Sequence, residues 1–379
     1  MSSSPPSARY PALDRMRGLV MVLMVLDHAG AYFDAGHLAA DSAGFPQLPL
    51  TLFGKLTRTV THLCAPTFVF LAGTSLAISL ARRAARGVSA RELDRHLFVR
   101  GAILIALDPL LVTPVSAPGA GWMWIFQVLT AIGLSMWCMI ALRRLPAPAL
   151  GALGAFALLA GEWWSLPVWG LGGGAPNALL KMSWVPWFAL DGSRVLVAWV
   201  YPLGPWLAML ALGWSYGSWL ERGAGEREPA RPLAALGALG VLGFLALRWN
   251  NGWGNMGLLR LDGSLAQWLH VSKYPPSASF ACMSLGAMAL LLALYDRLEQ
   301  RWPARDAGPL IVFGQVPLFF YVVHLPLLLA VAWVSGRLRS AGLGATYLAW
   351  VGALFALYPL CAAYRAAKRR RPHSWMRYL

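Results

Sequence analysis

Long apolar runs alternate with short polar segments along the whole chain. A helix rises 1.5 Å per residue, so a run of about 20 apolar residues crosses the hydrocarbon core of a bilayer. The pattern predicts about ten such crossings. They lie near 15–35, 60–81, 97–115, 122–142, 147–164, 196–220, 232–249, 278–296, 309–332 and 344–364. We therefore expect an all-α polytopic membrane bundle, with 165–195 as an interfacial loop.

Composition excludes an ordinary soluble protein. Hydrophobic residues make up 58% of the 379 and charged residues only 13%, against about 25% charged in soluble domains. Lipid would cover the apolar surface that a soluble fold of this size would leave in water. The predicted organisation is a cytoplasmic segment 1–14, one transmembrane domain 15–364, and a basic cytoplasmic tail 365–379.

The net charge of +16 is placed asymmetrically. With the N-terminus inside, 23 Lys and Arg residues fall on the cytoplasmic side and 9 on the other. Cytoplasmic loops carry such an excess, so ten crossings with both termini cytoplasmic are expected. The basic residues stand in short clusters between apolar runs, which indicates contact with membrane lipids and argues against nucleic-acid binding.

Three ionisable residues lie inside predicted spans: Asp27 and His28 in the first, and His324 in the ninth. Each lies about eight residues from the outer end of its span, or about 12 Å deep at 1.5 Å per residue. A charge at that depth costs several kcal/mol unless it is paired or hydrated. The shared depth predicts a common site, and Tyr321 occupies the same helix face as His324. Structural hydrogen bonds between helices are the alternative.

Other polar residues lie closer to the outer surface than these three. His62 stands at the outer mouth of the second span. The outer loops carry Asn250, Trp253, Arg260 and Lys273, a set that suits a sugar-like or anionic ligand. Tryptophan is equally expected there from the interfacial aromatic belt. The four cysteines form no CxxC pair, so no metal site is expected.

Several motifs resemble one known family. They are the segments 9–28, with Leu-Asp-Arg-Met-Arg-Gly-Leu and Leu-Asp-His, 61–75, with Thr-His-Leu-Cys-Ala-Pro, 201–206, 273–277 and 313–324. In this order they resemble the bacterial relatives of heparan-α-glucosaminide N-acetyltransferase. The resemblance implies a multispan acyltransferase of the bacterial inner membrane. It also places the active histidine near His62, where the neighbouring residues differ from the family's.

The resemblance implies transfer of an acetyl group from cytoplasmic acetyl-CoA, the expected cosubstrate, to an amine or hydroxyl of an extracytoplasmic, sugar-like acceptor. We expect His28 or His62 to act as the general base, with Asp27 orienting a histidine. Tyr321 and His324 would stabilise the oxyanion or the leaving thiolate. A covalent acetyl-histidine intermediate is left open.

Arg17 shares a helix face with His28 and stands at the inner end of the first span, where it would meet the donor's phosphates. A transporter or flippase is the main alternative function, since Asp and His inside spans also build proton relays. A non-catalytic scaffold is a third reading. The sequence leaves open whether the protein forms a homodimer.

Overall fold

A computed structural model describes residues 10–34, 51–116, 123–171, 175–192, 194–223, 228–303 and 305–371. Most of them are helical. The first helices are α1 (Pro11–Phe33), α2 (Leu52–Thr61), α3 (Cys64–Ala85), α4 (Ala90–Leu107), α5 (Thr113–Ser116), α6 (Val128–Leu142), α7 (Ala147–Leu159), α8 (Glu162–Trp169) and α9 (Ala175–Trp184). The others are α10 (Leu203–Arg222), α11 (Ala230–Asn250), α12 (Leu265–Trp268), α13 (Ala278–Arg301), α14 (Pro309–Gln315), α15 (Pro317–Val334) and α16 (Gly342–Arg370).

Among the described residues, seven helical segments are long and apolar enough to cross a membrane, and there are eight if α7 and α8, bent by 50°, form one span. The expected multispan helical protein is thereby confirmed. Two further helices, the short apolar α6 and the 20-residue α10, fall in the remaining predicted windows. The figure of ten crossings stays a prediction.

Polar contacts join the ends of several helices at one end of the bundle. We call it the α1-start end, because α1 begins there. The contacts are Tyr10 with Glu221 at 3.1 Å, Arg15 with Glu299 at 3.1 Å, Arg143 with Asp94 at 2.6 Å and Arg369 with Asp306 at 2.9 Å. At the opposite end, the Arg339 N–H donates to the Tyr32 carbonyl at 2.7 Å. At the α1-start end, α1, α4 and α14 therefore begin and α6, α10, α13 and α16 end, so these two groups of helices run in opposite directions.

A small sheet departs from the expected all-α architecture. Strands β1 (Trp124–Phe126), β2 (Trp187–Asp191) and β3 (Arg194–Trp199) associate in the order β1-β3-β2, with β1 parallel and β2 antiparallel to β3. Branched and aromatic side chains dominate these segments and favour extended backbone. The predicted interfacial loop 165–195 thus contains helices and strands, and helices α6 and α10 begin later than the windows 122–142 and 196–220.

Helix α2 begins well before the predicted span 60–81. It exposes Leu52, Phe53 and Leu56 and buries Lys55 and Arg58. This is the reverse of a helix in water, and it suits a helix whose outer face meets lipid. The helices also cross the predicted domain boundaries, because α1 starts at Pro11 and α16 continues to Arg370.

Close helix crossings depend on glycine. A Cβ on Gly18 of α1 would overlap the Leu310 carbonyl oxygen of α14, and one on Gly213 of α10 would overlap the Phe70 carbonyl oxygen of α3. Small residues allow such backbone contact, which supplies much of the packing energy between helices in lipid. These two crossings fix α1 against α14 and α3 against α10.

Replacing Gly18 with alanine is expected to destabilise the protein by about 1–3 kcal/mol, because the added methyl group meets rigid backbone. The measurement is thermal unfolding of the detergent-purified protein. Gly352→Ala is the matched control, since nothing lies within 4 Å of a Cβ added at that position of α16. Equal melting temperatures for the two variants would contradict the assigned α1–α14 crossing.

Candidate active site

Two histidines from distant parts of the sequence meet inside the bundle. Nδ1 of His28 on α1 lies 2.6 Å from Nε2 of His324 on α15, and the rings stack with centroids 4.9 Å apart. Nδ1 of His324 lies 3.0 Å from the Phe320 carbonyl oxygen. A carbonyl oxygen only accepts, so this Nδ1 carries a proton and Nε2 of His324 accepts from His28. In a neutral pair, the basic nitrogen is then Nε2 of His28.

Tyr321 lies beside this pair. Its ring centroid is 6.3 Å from that of His28 and 5.6 Å from that of His324, with edge-to-face geometry in both cases. Tyr321 and His324 are almost completely buried, at 1% and 0% exposure. The shared depth predicted from the sequence therefore corresponds to real contact between α1 and α15.

Asp27, the neighbour of His28, points toward a different helix. Its carboxylate forms a salt bridge with Arg58 of α2, and both residues are buried. Successive helix residues lie about 100° apart, so α1 presents Asp27 to α2 and His28 to α15. The role of Asp27 in orienting a histidine stays a prediction.

His62 ends α2, one turn after Arg58. Its backbone N–H donates to the Arg58 carbonyl at 2.9 Å, and its ring packs edge-on against Phe280 at 5.4 Å. The side chain is fully buried. The structure thus places His62 inside the protein, next to the segment that holds the Asp27 salt bridge.

The sequence model for heparan-α-glucosaminide N-acetyltransferase, catalytic, matches residues 9–248. The chain belongs to this family. No curated protein matches the sequence. The matched part contains Asp27, His28, Arg58 and His62, whereas His324 comes from the part of the chain beyond the match. Both parts thus contribute residues to the candidate site.

Lys273 joins the same buried region. It is 2% exposed, and its Nζ lies 5.1 Å from the ring centroid of Tyr274. The hydroxyl of Tyr274 lies 3.4 Å from that of Tyr201. Asp27 and Lys273 both act electrostatically on the Cys64 thiol, which places the two charges near one residue. Of the four predicted acceptor residues, Lys273 is therefore the one that faces the interior.

The other three predicted acceptor residues lie at the end of α11 and in the loop that follows it. Asn250 is exposed, Trp253 packs against Trp163 at 5.7 Å, and the Arg260 guanidinium stacks over Trp268 at 4.3 Å. The buried Arg248 of α11 holds this loop in place through hydrogen bonds. Its guanidinium donates to Asn255 and to the carbonyls of Leu258, Gln267 and Trp268, at 2.6–3.2 Å.

Arg17 has an internal network of contacts. Its guanidinium donates to Asp14 at 2.9 Å, to the Gly314 carbonyl at 2.9 Å and to Ser75 at 2.7 Å. These contacts tie α1 to α3 and α14. Its predicted binding of donor phosphates stays a prediction, and the network supports a structural contribution as well.

Two buried groups, Arg58 and Asp108, were not predicted from the sequence. Asp108 is fully buried where α4 passes into a π-helical turn, and its Oδ2 accepts from the N–H groups of Gln127 and Thr130 at 2.7 and 2.8 Å. It therefore caps the start of α6. The signals were an Asp-Pro pair inside the span 97–115, and two cations three residues apart on α2.

A large apolar cavity lies elsewhere. It has a volume of about 920 Å³ and runs between α7, α10, α11 and α13, with no lining residue from α1 or α15. Its apolar walls do not suit a polar acceptor. Among the residues described, no group of three His, Cys, Asp or Glu is placed to hold a metal ion.

Arg58→Gln is expected to destabilise the protein by about 3–5 kcal/mol, because it leaves Asp27 buried without its cation. Thermal unfolding measures the effect, with the exposed Arg337→Gln as the matched control. The double variant with Asp27→Asn should recover much of the loss, since neither member of the pair then carries a charge. Failure of the double variant to recover would argue against the salt bridge.

Proposed function

We propose that the protein is an acyltransferase of the bacterial inner membrane. It moves an acetyl group from cytoplasmic acetyl-CoA to an amine or hydroxyl of a sugar-like acceptor on the outer side. Family membership supports the acetyltransferase class and the acetyl-CoA donor. The single observation that carries the residue assignment is the hydrogen-bonded pair of His28 and His324 in the buried interior.

In this mechanism, Nε2 of His28 removes the proton from the acceptor's nucleophilic atom as that atom attacks the thioester carbonyl carbon. Neutral imidazole suits this role near neutral pH. His28 then carries a positive charge, while its Nδ1–H continues to donate to Nε2 of His324. This contact stabilises the cation and holds the ring in place, as the orienting residue of a catalytic triad does.

The tetrahedral intermediate needs hydrogen-bond donors for its oxyanion. The Tyr321 hydroxyl and the Lys273 ammonium supply donors in the same buried region. Collapse of the intermediate breaks the carbon–sulfur bond, and the thiolate of CoA takes the proton held by His28. Asp27, neutralised by Arg58, keeps the ionisable segment of α1 stable in lipid.

His28→Gln and His324→Gln are each expected to lower acetyl transfer about 100-fold or more, because general base catalysis contributes about 10²–10⁴. The assay follows labelled acetyl-CoA into acceptor pools by mass spectrometry, with purified protein. His96→Gln on α4 is the control histidine. Full activity in both variants would refute the assigned base.

A proton relay is the second reading of the same pair, since buried histidines also serve in transporters. It differs in a measurable way. A proton flux through proteoliposomes without acetyl-CoA, together with an absence of acyl transfer, would favour the transporter or flippase over the acyltransferase.

We also propose that the chain crosses the membrane ten times, with both termini in the cytoplasm. The alternation of helix ends and the excess of basic residues at the α1-start end support it. A reporter that is active only in the cytoplasm is expected to be active when it is fused after Leu379. The same reporter fused within the outer loop 250–262 should show the opposite behaviour, and a periplasmic C-terminus would overturn the topology.

A further inference from the structure

A groove separates two closely packed pairs of helices. A Cβ on Gly154 of α7 would lie 2.7 Å from the Ala208 carbonyl oxygen of α10, and one on Gly240 of α11 would lie 2.7 Å from the Gly286 Cα of α13. Each pair therefore packs at backbone contact. The space between the pairs is the apolar cavity of about 920 Å³, which we call the α7–α11 groove. All four helices line it, with residues such as Ala147, Ala155, Leu212, Arg222, Leu236 and Cys282.

The α7–α11 groove opens sideways, toward the space that lipid occupies around a membrane protein. Leu159 of α7 and both Leu236 and Leu239 of α11 line it and are exposed. Leu158 and Leu233 also line it, and they are buried. The groove thus has a closed floor and an open side, which gives an apolar molecule of the membrane a lateral entrance.

The length of the groove corresponds to one leaflet of a bilayer. It begins at the α1-start end, where α10 ends at Arg222 and α7 begins at Ala147. Along α10 it extends to Leu212, which is about 15 Å at 1.5 Å per residue. Along α11 it extends from Pro232 to Gly243, or about 16 Å. Half of a hydrocarbon core about 30 Å thick is about 15 Å. The acyl chains of the leaflet at the α1-start end therefore match the groove in length.

The mouth of the groove at the α1-start end is cationic and aromatic. Arg222 lines it and is exposed, while the neighbouring carboxylate of Glu221 pairs with Arg82 at 2.8 Å. Trp219 also lines the groove and stacks on Tyr216, with ring centroids 6.0 Å apart. Arginine attracts anionic headgroups, and Trp and Tyr are enriched at the headgroup level of membranes. The two ends of the groove therefore differ as the two ends of an anionic phospholipid do.

The width of the groove favours acyl chains over a helix. A helix about 10 Å across and 16 Å long occupies about 1,250 Å³. The groove has only about 920 Å³. A helix from a second copy would therefore cover the groove and leave its floor unfilled. Acyl chains are narrower, and they fit a floor that includes the small residues Gly151, Gly240 and Gly286.

We propose that the α7–α11 groove binds one anionic phospholipid from the leaflet at the α1-start end. Its acyl chains lie in the groove, and its phosphate lies at Arg222. The lipid fills the space between the two helix pairs. This site is separate from the histidine pair, because α1 and α15 contribute no lining residue. The lipid site does not rest on the proposed acyl transfer.

The first test fills the groove. Ala155→Trp places an indole among the lining residues and is expected to lower lipid retention about threefold or more, because the chain loses its contacts with the floor. Native mass spectrometry measures retention after the purified protein is incubated with phosphatidylglycerol or phosphatidylcholine. Ala152→Trp is the matched control, since Ala152 is exposed on the same helix and does not line the groove.

The second test removes the cation at the mouth. Arg222→Gln is expected to lower retention of phosphatidylglycerol about fivefold relative to phosphatidylcholine, which is the effect of one cation near an anionic headgroup. Arg222→Lys should keep the preference for phosphatidylglycerol. Arg95→Gln, at an exposed position of α4 outside the groove, is the control and should behave as the unaltered protein does. Because Arg222 is exposed, this test is decisive even if Ala155→Trp fails to fold.

Three outcomes would overturn the proposal. Equal retention by Ala155→Trp and Ala152→Trp would show that lipid does not occupy the groove. An unchanged preference for phosphatidylglycerol in Arg222→Gln would refute the anionic headgroup at the mouth. If Ala155→Trp converts a dimer to monomers while lipid retention stays the same, the groove is an interface between two copies of the chain.

Discussion

The burial of ionisable side chains in a lipid-embedded bundle is the constraint on which this structure depends. Asp27 cannot face lipid, so α2 must bring Arg58 to it, and His28 beside it must face α15. Asp27 and His28 thus determine that α2 and α15 are neighbours of α1. Gly18 then lets α14 approach the start of α1 at backbone contact. The central position of α1 follows from these three contacts, more than from its modest apolar content.

The depth of ionisable residues in the membrane could be predicted because it depends on simple physics. The rise per residue of a helix is fixed, and charges avoid lipid at every position, so His28 and His324 could be assigned one depth without any knowledge of packing. In the structure the two side chains are in direct contact. The same reasoning placed Tyr321 on the face of His324, because side chains three apart on a helix share a face.

The rest depended on tertiary partners that no local pattern specifies. Counting cations by side treats each as if it lay in water, although Arg58, one of the nine cations counted on the outer side, is 1% exposed. The strand Arg194–Trp199 falls partly in the predicted loop 165–195 and partly in the predicted span 196–220. Its hydrophobicity is compatible with a span or a strand, and only pairing with β1 and β2 makes it a strand. Arg248 is another example: its burial becomes favourable only once Asn255 and three backbone carbonyls accept hydrogen bonds from it.

The polar groups of α1 divide into two sets, and the division has a mechanistic consequence. Near its start, Arg17 is joined to Asp14 and to the Gly314 carbonyl. Near its end, His28 meets α15. A membrane enzyme that takes a charged donor from one side and an acceptor from the other must keep the donor's anionic part near water while its reactive end enters the bundle. An apolar stretch of about two to three helical turns between the two sets does this. Under the proposed function, this stretch would offer no partner for phosphate, so the donor's phosphates would stay near the start of α1 and only the uncharged arm would extend toward the histidines.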